Sequence, residues 1–281
     1  MSIIVNNNVA SLIAQRNLNS NTTNLVQSIE KLSSGYRINK AADDAAGLSI
    51  SENLRAQIRG NAKAMGNIQD GINMLTIAEG GLAVIGDNIQ RIRELCVQAA
   101  NETNATAERA AILSEINARL ADINRISRAA QFNNLSLLDG TLVSAKLQIG
   151  AGASTVNVID ISSVISHPTT VTALGMDLNV NASTWKSDNI RSYLSDLDGA
   201  LTTLNTRRSD LGAYQNRLES ALENLTVMNE NLKASESRIR DLDVANESAT
   251  LTKYQILQQA SASVLSQANN IPQIALALIG R

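Results

Sequence analysis

Aromatic residues are nearly missing from this chain: they make up 2% of its 281 residues, with one Phe and one Trp, although 44% are hydrophobic. The apolar content is therefore mostly Ala, Leu, Ile and Val, which suits narrow helix–helix seams better than a thick core. Proline is equally scarce. Pro168 and Pro272 are the only two, so long stretches carry no obligatory helix breaker. Cys96 is the only cysteine, which excludes an internal disulfide and any cysteine-based metal cluster. A small buried residue on a helix is its expected role. His167 is the only histidine. A Ser-His-Asp triad would have to use it, yet it sits in a Ser/Thr-rich stretch before Pro168, where an ordinary loop histidine is the simpler reading. With a single histidine no HExxH zinc site can form. These absences argue against an enzyme and imply neither cofactor nor metal.

Charge of one sign is also missing. A formal net charge of −2 and a pI near 5.6 give no electrostatic case for nucleic acid. The start, MSIIVNNNVASLIAQRN, lacks the basic region, apolar core and cleavage site of a secretory signal. No apolar run approaches the ~18–20 residues needed to span a bilayer. The longest runs only from Ile274 to Ile279, so membrane insertion is not expected.

What is present is periodicity. Ile190, Leu197, Leu204, Leu211, Leu218, Leu225, Leu232 and Ile239 recur every seventh residue without a miss. Companion positions are mixed: Leu194, Leu201 and Leu222 are apolar, whereas Arg208, Gln215, Asn229 and Glu236 are polar. A sustained heptad specifies a coiled-coil seam, and at ~1.5 Å per residue the segment 190–243 would be a rod of roughly 80 Å. A second seam runs through 48–98, where Leu54, Ile58, Met65, Ile68, Ile72, Leu75, Leu82, Ile85, Ile89 and Ile92 step by mostly three or four. Gly60, Gly66, Gly71, Gly80, Gly81 and Gly86 interrupt it, each at a cost of about 1 kcal/mol relative to Ala. They suit close helix packing, or else a helix tuned to shift slightly. The Asn/Thr cluster at 101–106 reads as a turn and helix start. The following helix, with Leu113, Ile116, Leu120, Ile123 and Ile126 on one face, should end near Asn133–Asn134.

Between about 141 and 187 charge falls away and Ser, Thr and Val rise. Alternation in 145–148 and 155–161 predicts short strands or hairpins, with Gly150 and Gly152 at a turn. This is expected to be a small, solvent-facing projection.

The two ends are sparsely charged. Residues 1–29 hold one charged side chain, Arg16, and residues 244–281 hold only Glu247, Lys253 and Arg281. Both keep helical apolar spacing, through Val9, Leu12, Leu25, Ile29 and Leu32 at one end. Leu251, Ile256, Val264, Leu265 and Ile271 supply it at the other. A surface helix normally carries charge on its wet face. Uncharged polar faces rich in Asn, Gln and Ser instead suggest burial against copies of the same chain, although packing on the chain's own core is an open alternative.

Three blocks carry a family resemblance. The first is Val9–Leu18 (VASLIAQRNL) with Leu32–Ser51 (LSSGYRINKAADDAAGLSIS). The second is Gln90–Leu95 (QRIREL), Val97–Asn101 (VQAAN) and Gln131–Asn134 (QFNN). The third is Leu211–Glu219 (LGAYQNRLE), Ser237–Asp243 (SRIRDLD) and Gln267–Gln273 (QANNIPQ). In order and spacing these resemble the bacterial flagellins, in a short form nearly lacking that family's variable middle.

The resemblance implies a mainly α, non-enzymatic fold: a long antiparallel helical bundle or coiled-coil rod, a small β-hairpin segment and paired termini. Residues 1–43 and 244–281 would form the inner-tube polymerisation domain, 44–140 and 188–243 the helical rod, and 141–187 the short β-rich surface. Val9, Leu12, Arg16, Leu25, Ile29, Leu32, Ile256, Val264, Leu265 and Ile271 are the implied polymerisation residues. Implied partners are further copies of the chain, the flagellar cap and hook-junction proteins, and an export chaperone. Export through the flagellar type III apparatus would place the filament outside the cell. Gln90, Arg91, Glu94, Leu95 and Glu115 match the patch that animal Toll-like receptor 5 reads on flagellins, although Arg91 and Glu94 could also simply pair with each other. Asp43–Asp44 belongs to the family's hinge-like stretch, with Asp suited to start a helix. Asn-x-Ser/Thr triplets such as Asn104–Thr106 and Asn181–Ser183 read as chance, and O-linked glycans on 152–187 suit the family. A hook–filament junction or other axial protein is the nearest alternative, and a chemoreceptor-like signalling coil a more distant one.

Overall fold

The computed structural model describes residues 7–176 and 185–279, with side chains up to residue 271. The expectations for residues 1–6, for 177–184 with the Asn181 triplet, and for 280–281 lie outside it. The fold is mainly α. Its elements run α1 (Val9–Ser34), α2 (Ala45–Ala99), α3 (Thr106–Ala129), β1 (Gln131–Phe132), β2 (Leu135–Ser136), β3 (Lys146–Gln148) and a 3-10 turn (Thr155–Asn157). Then follow β4 (Val158–Asp160), α4 (Ser162–Ile165), α5 (Ser187–Arg240) and α6 (Val244–Ile279). They divide into two compact units, one of residues 1–56 with 231–281 and the other of residues 57–230. The expected boundaries at 43/44 and 243/244 differ from these. The first turns of α2 and the last turns of α5 pair with each other: Arg55 Nε lies 3.5 Å from Glu236 Oε1, and Arg240 Nη1 lies 2.6 Å from Glu52 Oε1.

In the larger unit α2 is the centre. Its buried stripe, Ile68, Leu75, Leu82, Ile85, Ile89 and Ile92, faces two antiparallel neighbours. Arg93 Nε meets Asp198 Oδ1 of α5 at 2.7 Å, and Arg119 Nη1 of α3 meets Asn88 Oδ1 of α2 at 3.3 Å. From α3 come Ile112, Leu113, Ile116, Leu120 and Ile123, and from α5 come Ile190, Leu197, Leu204, Leu211, Leu218 and Leu225. Each fully buried Leu or Ile contributes roughly 1.5–3 kcal/mol over an exposed one, so the aliphatic seam supplies most of the unit's stabilisation, with Trp185 and Tyr193 the buried rings beside it. The glycines on the inner side let the helices close up. A Cβ at Gly86 would stand 3.2 Å from Leu204 Cδ2, and one at Gly81 would stand 2.8 Å from Leu138 Cδ1.

Helix α3 ends at Ala129, four residues short of the expected Asn133, because the QFNN block is a hairpin turn. Asn133 and Asn134 both take positive φ, 46° and 63°. These left-handed conformations are the ones a two-residue turn between β1 and β2 requires, and Asn tolerates them. The antiparallel pairs β1–β2 and β3–β4 supply the expected small β content, and Gly150 and Gly152 lie between β3 and β4. The stretch 141–187 is less of a projection than its composition suggests. Ile159, Ile161, Val164, Ile165, Val171, Leu174, Met176 and Trp185 are all buried in the same core.

In the smaller unit α1 and α6 pair antiparallel. Asn8 starts α1, its side chain accepting a hydrogen bond from Ser11 N at 3.1 Å, and Gly35 at φ +74° ends it. Asp44 Oδ1 accepts from Gly47 N at 2.8 Å and so caps α2. Asp243 Oδ1 accepts from Ala245 N and Asn246 N to start α6. Next to these caps the chain crosses itself: Arg37 N donates to Arg240 O at 2.7 Å and Leu242 N to Gly35 O at 3.0 Å.

Candidate functional site

The paired termini present an inverted helix pair. Along α1 the residues turned toward α6 are Ser11, Ala14, Leu18, Asn21, Leu25, Ser28 and Leu32, stepping alternately by three and four. Along α6 they are Glu247, Leu251, Tyr254, Gln258, Ser261, Leu265 and Ala268, with the same steps. Half of this seam is polar. Asn21 Nδ2 donates to Ser261 Oγ at 2.9 Å, Gln258 Nε2 to Thr22 Oγ1 at 3.2 Å, and Asn8 Nδ2 to Ala268 O at 2.7 Å. Large apolar side chains sit on the outside instead. Leu12 is 62% exposed and Ile256 61%, and Val9, Ile13, Val26, Ile29, Leu257, Val264 and Ile271 are exposed beside them. The predicted polymerisation residues therefore fall on two faces. Leu25, Leu32 and Leu265 are half-buried in the intrachain seam, whereas Val9, Leu12, Arg16, Ile29, Ile256, Val264 and Ile271 point to solvent. The seven-residue repeat of Leu18, Leu25 and Leu32 was the signal that separates them.

Charge in this unit gathers at the crossing rather than on the helix pair. Glu52 receives Arg240 Nη1 at 2.6 Å and Arg55 Nη1 at 2.8 Å, and those guanidinium groups hold its carboxyl below the usual glutamate range. Arg240 also stacks 4.7 Å over the Tyr36 ring. Asp43 accepts from the Lys40 and Asn39 amides at 2.9 and 3.0 Å, which lowers its pKa. Asp43–Asp44 thus serves as loop and helix caps, and among the described residues no acidic, His or Cys cluster could hold a metal ion.

In the larger unit the predicted receptor patch is partly assembled. Arg91 Nη1 lies 2.8 Å from Glu94 Oε2, and Arg91 Nε lies 3.6 Å from Glu115 Oε1 on α3. Glu94 acts first to raise the Arg91 pKa, and Gln90 is exposed nearby. Leu95 is a correction. At 3% exposure it belongs to the core stripe of α2 and offers no surface. Of the predicted α5 seam, Ile190 through Leu225 are buried, while Leu232 and Ile239 lie in the smaller unit and are only half-buried. Among the described residues no helix is long and apolar enough to cross a membrane.

Long heptad helices and a terminal helix pair with its apolar side chains turned outward define a mainly α-helical, rod-forming class of protein. Comparison with known proteins gives the family. Residues 5–142 match the bacterial flagellin N-terminal helical region and residues 194–279 the bacterial flagellin C-terminal helical region. A flagellin of Halalkalibacterium halodurans is 42% identical over 277 residues, covering 99% of this chain and 100% of that one. The flagellar filament 30.7 kDa core protein of Treponema maltophilum is 40% identical over 287 residues, with the same coverage. This chain belongs to the bacterial flagellin family. In fold it also resembles a solved structure assigned as a flagellar hook-associated protein from Vibrio parahaemolyticus. That match has a TM-score of 0.57, 13% identity, and coverage of 71% of this chain and 100% of the other.

Proposed function

We propose that the chain is a structural subunit that polymerises, through the outer faces of α1 and α6, into the helical flagellar filament used for motility. The observation that carries this is the inverted terminal pair. Apolar side chains left in water on a nearly uncharged helix pair cost stability unless something covers them. Contacts between two different faces of one chain, repeated by a rotation that does not close, build an open helical polymer. Deleting residues 244–281 should leave residues 57–230 folded and helical by circular dichroism, yet unable to extend filament seeds in electron micrographs. Normal growth by that truncation would sink the assignment.

The finer reading follows from the family. The subunit leaves the cell through the flagellar type III apparatus, escorted by an export chaperone on its C-terminal segment. It adds beneath the cap protein beyond the hook-junction proteins and works outside the cell. Sparsely charged ends that gain order on assembly are compatible with passage through a narrow channel. As a monomer it presents Gln90, Arg91, Glu94 and Glu115 to Toll-like receptor 5, with Leu95 supporting the patch from below. Arg91→Ala should lower receptor signalling by monomer at least several-fold, and unchanged signalling would remove this surface from consideration.

A further inference from the structure

The seam between α2 and α5 is interrupted by a polar layer. At Gly86 the two helices come close, where a Cβ on the glycine would stand 3.2 Å from Leu204 Cδ2. Twenty-five residues back along α2 from Gly86 lies Asn61, and twenty-five on along α5 from Leu204 lies Asn229. In antiparallel helices these two positions face each other. Both side chains are buried, Asn61 at 3% exposure and Asn229 at 6%. Among the described residues Asn229 Oδ1 has no hydrogen-bond partner, and Asn61 Nδ2 donates to the Met228 sulfur at 3.7 Å. A thioether sulfur is a weak acceptor, so the layer holds its amides in poorer bonds than water would give them.

That sulfur is placed to be reached. Met228 is 46% exposed and borders a cavity of about 270 Å³ together with Gln57, Asn61, Asn157 and Leu225. The other described methionines differ. Met74 and Met176 are buried. Met65 is half-buried, and the Thr226 hydroxyl beside its sulfur has Leu222 O as a better acceptor at 2.8 Å.

We propose that Met228 is a modification site for hydroperoxide oxidants, and that Asn61 holds the sulfoxide formed there. The sulfur lone pair attacks one oxygen of hydrogen peroxide. The S–O bond forms as the O–O bond breaks, and the proton on the transferred oxygen passes to the departing hydroxide, which leaves as water. Sulfur is oxidised by two electrons and the peroxide is reduced. Oxidation of a methionine ordinarily harms a protein by putting a polar group into apolar packing. Here the new oxygen meets an amide donor that lacks a strong acceptor, and the bond to it replaces the one to sulfur. The unbranched, flexible side chain borders the cavity and has room to withdraw, so that the oxygen takes the place of the sulfur. The oxidised chain is then at least as stable as the reduced one, and a sulfoxide reductase reverses the change.

Full-length monomer treated with hydrogen peroxide tests this. Each methionine is followed by peptide mass spectrometry, and stability by the denaturant midpoint of Trp185 fluorescence. Sulfoxide should form at Met228 at least tenfold faster than at Met74 and Met176. Chains oxidised at Met228 should keep or raise the midpoint of untreated chains. In Asn61→Leu, which lacks the donor, the same oxidation should lower it. A measurement on the unaltered chain stands beside the variant: in asparagine-labelled protein the Asn61 side-chain amide protons should move downfield on oxidation. Three results would each overturn the site: Met228 oxidised no faster than the buried methionines, a wild-type midpoint that falls or responds no differently from that of Asn61→Leu, or an unmoved Asn61 amide.

Discussion

Cys96 shows how a single residue's chemistry follows from its place on a helix. It has no exposed surface, and burial pushes its thiol up from 9.0 to about 12. The thiolate is the nucleophile, so a colorimetric thiol reagent at pH 8 should label native protein slowly and denatured protein at once. The linkage has a definite sign. The unfolded chain releases this proton as pH rises through 9, whereas the folded one holds it until about 12. The stability involved is therefore whole below pH 9 and is lost between 9 and 12. Denaturant melts at pH 8 and pH 10.5, set against a Cys96→Ala reference, should show the wild type losing more. Equal losses would mean that the thiol is reached by solvent. Leu95 and Cys96 were adjacent letters with different expectations, one a surface contact and one a core residue. Only the position of the core stripe around α2 decides that both face inward, and a family motif does not carry that angle.

At the scale of elements, periodicity made the helices of the larger unit legible. The heptad from Ile190 to Leu225, the stripe through Ile68 to Ile92 and the apolar face of α3 all lie where spacing put them, because each is buried on one side only. Composition was a poorer guide between 141 and 187. Its Ser and Thr suggested a wet projection, yet Ile161, Val164 and Ile165 are core, since four residues of helix after a short strand suffice to turn them in. The terminal helices were legible in character and not in geometry. Missing charge marked them, and the repeat of Leu18, Leu25 and Leu32 sets Leu25 apart from Ile29, but only the partner helix shows that this repeat is the inner face. Their two faces predict different outcomes. Val264→Gln with Ile271→Gln should leave monomer helicity unchanged and raise the critical concentration for assembly. Removing about 1.5–3 kcal/mol of burial per side chain corresponds to roughly tenfold or more for each. Leu18→Gln with Leu251→Gln strikes the inner seam and should lower helicity as well. Equal helicity in both pairs would show that the seam does not hold the helices.

For the molecule as a whole, the contrast between its two units sets where order is intrinsic. Residues 57–230 contain nearly all the buried apolar side chains. Among the described residues those buried in the smaller unit are Ala14, Ile38 and Ala268, supported by polar hydrogen bonds that compete with water and yield only ~0.5–1.5 kcal/mol each. Hydrogen exchange on monomers should thus be fast across 9–34 and 244–271 and slow in the core helices of 57–230. In filaments the terminal segments should become protected. Strong protection of both segments in the monomer would mean that the helix pair is stable without neighbours. The near absence of rings gives this experiment a convenient companion. Trp185 is the chain's sole tryptophan, buried in the larger unit with its ring edge-on to Tyr193 at 6.0 Å. Its fluorescence is a built-in optical gauge of that unit, and an assembly signal measured at other wavelengths can be read free of it.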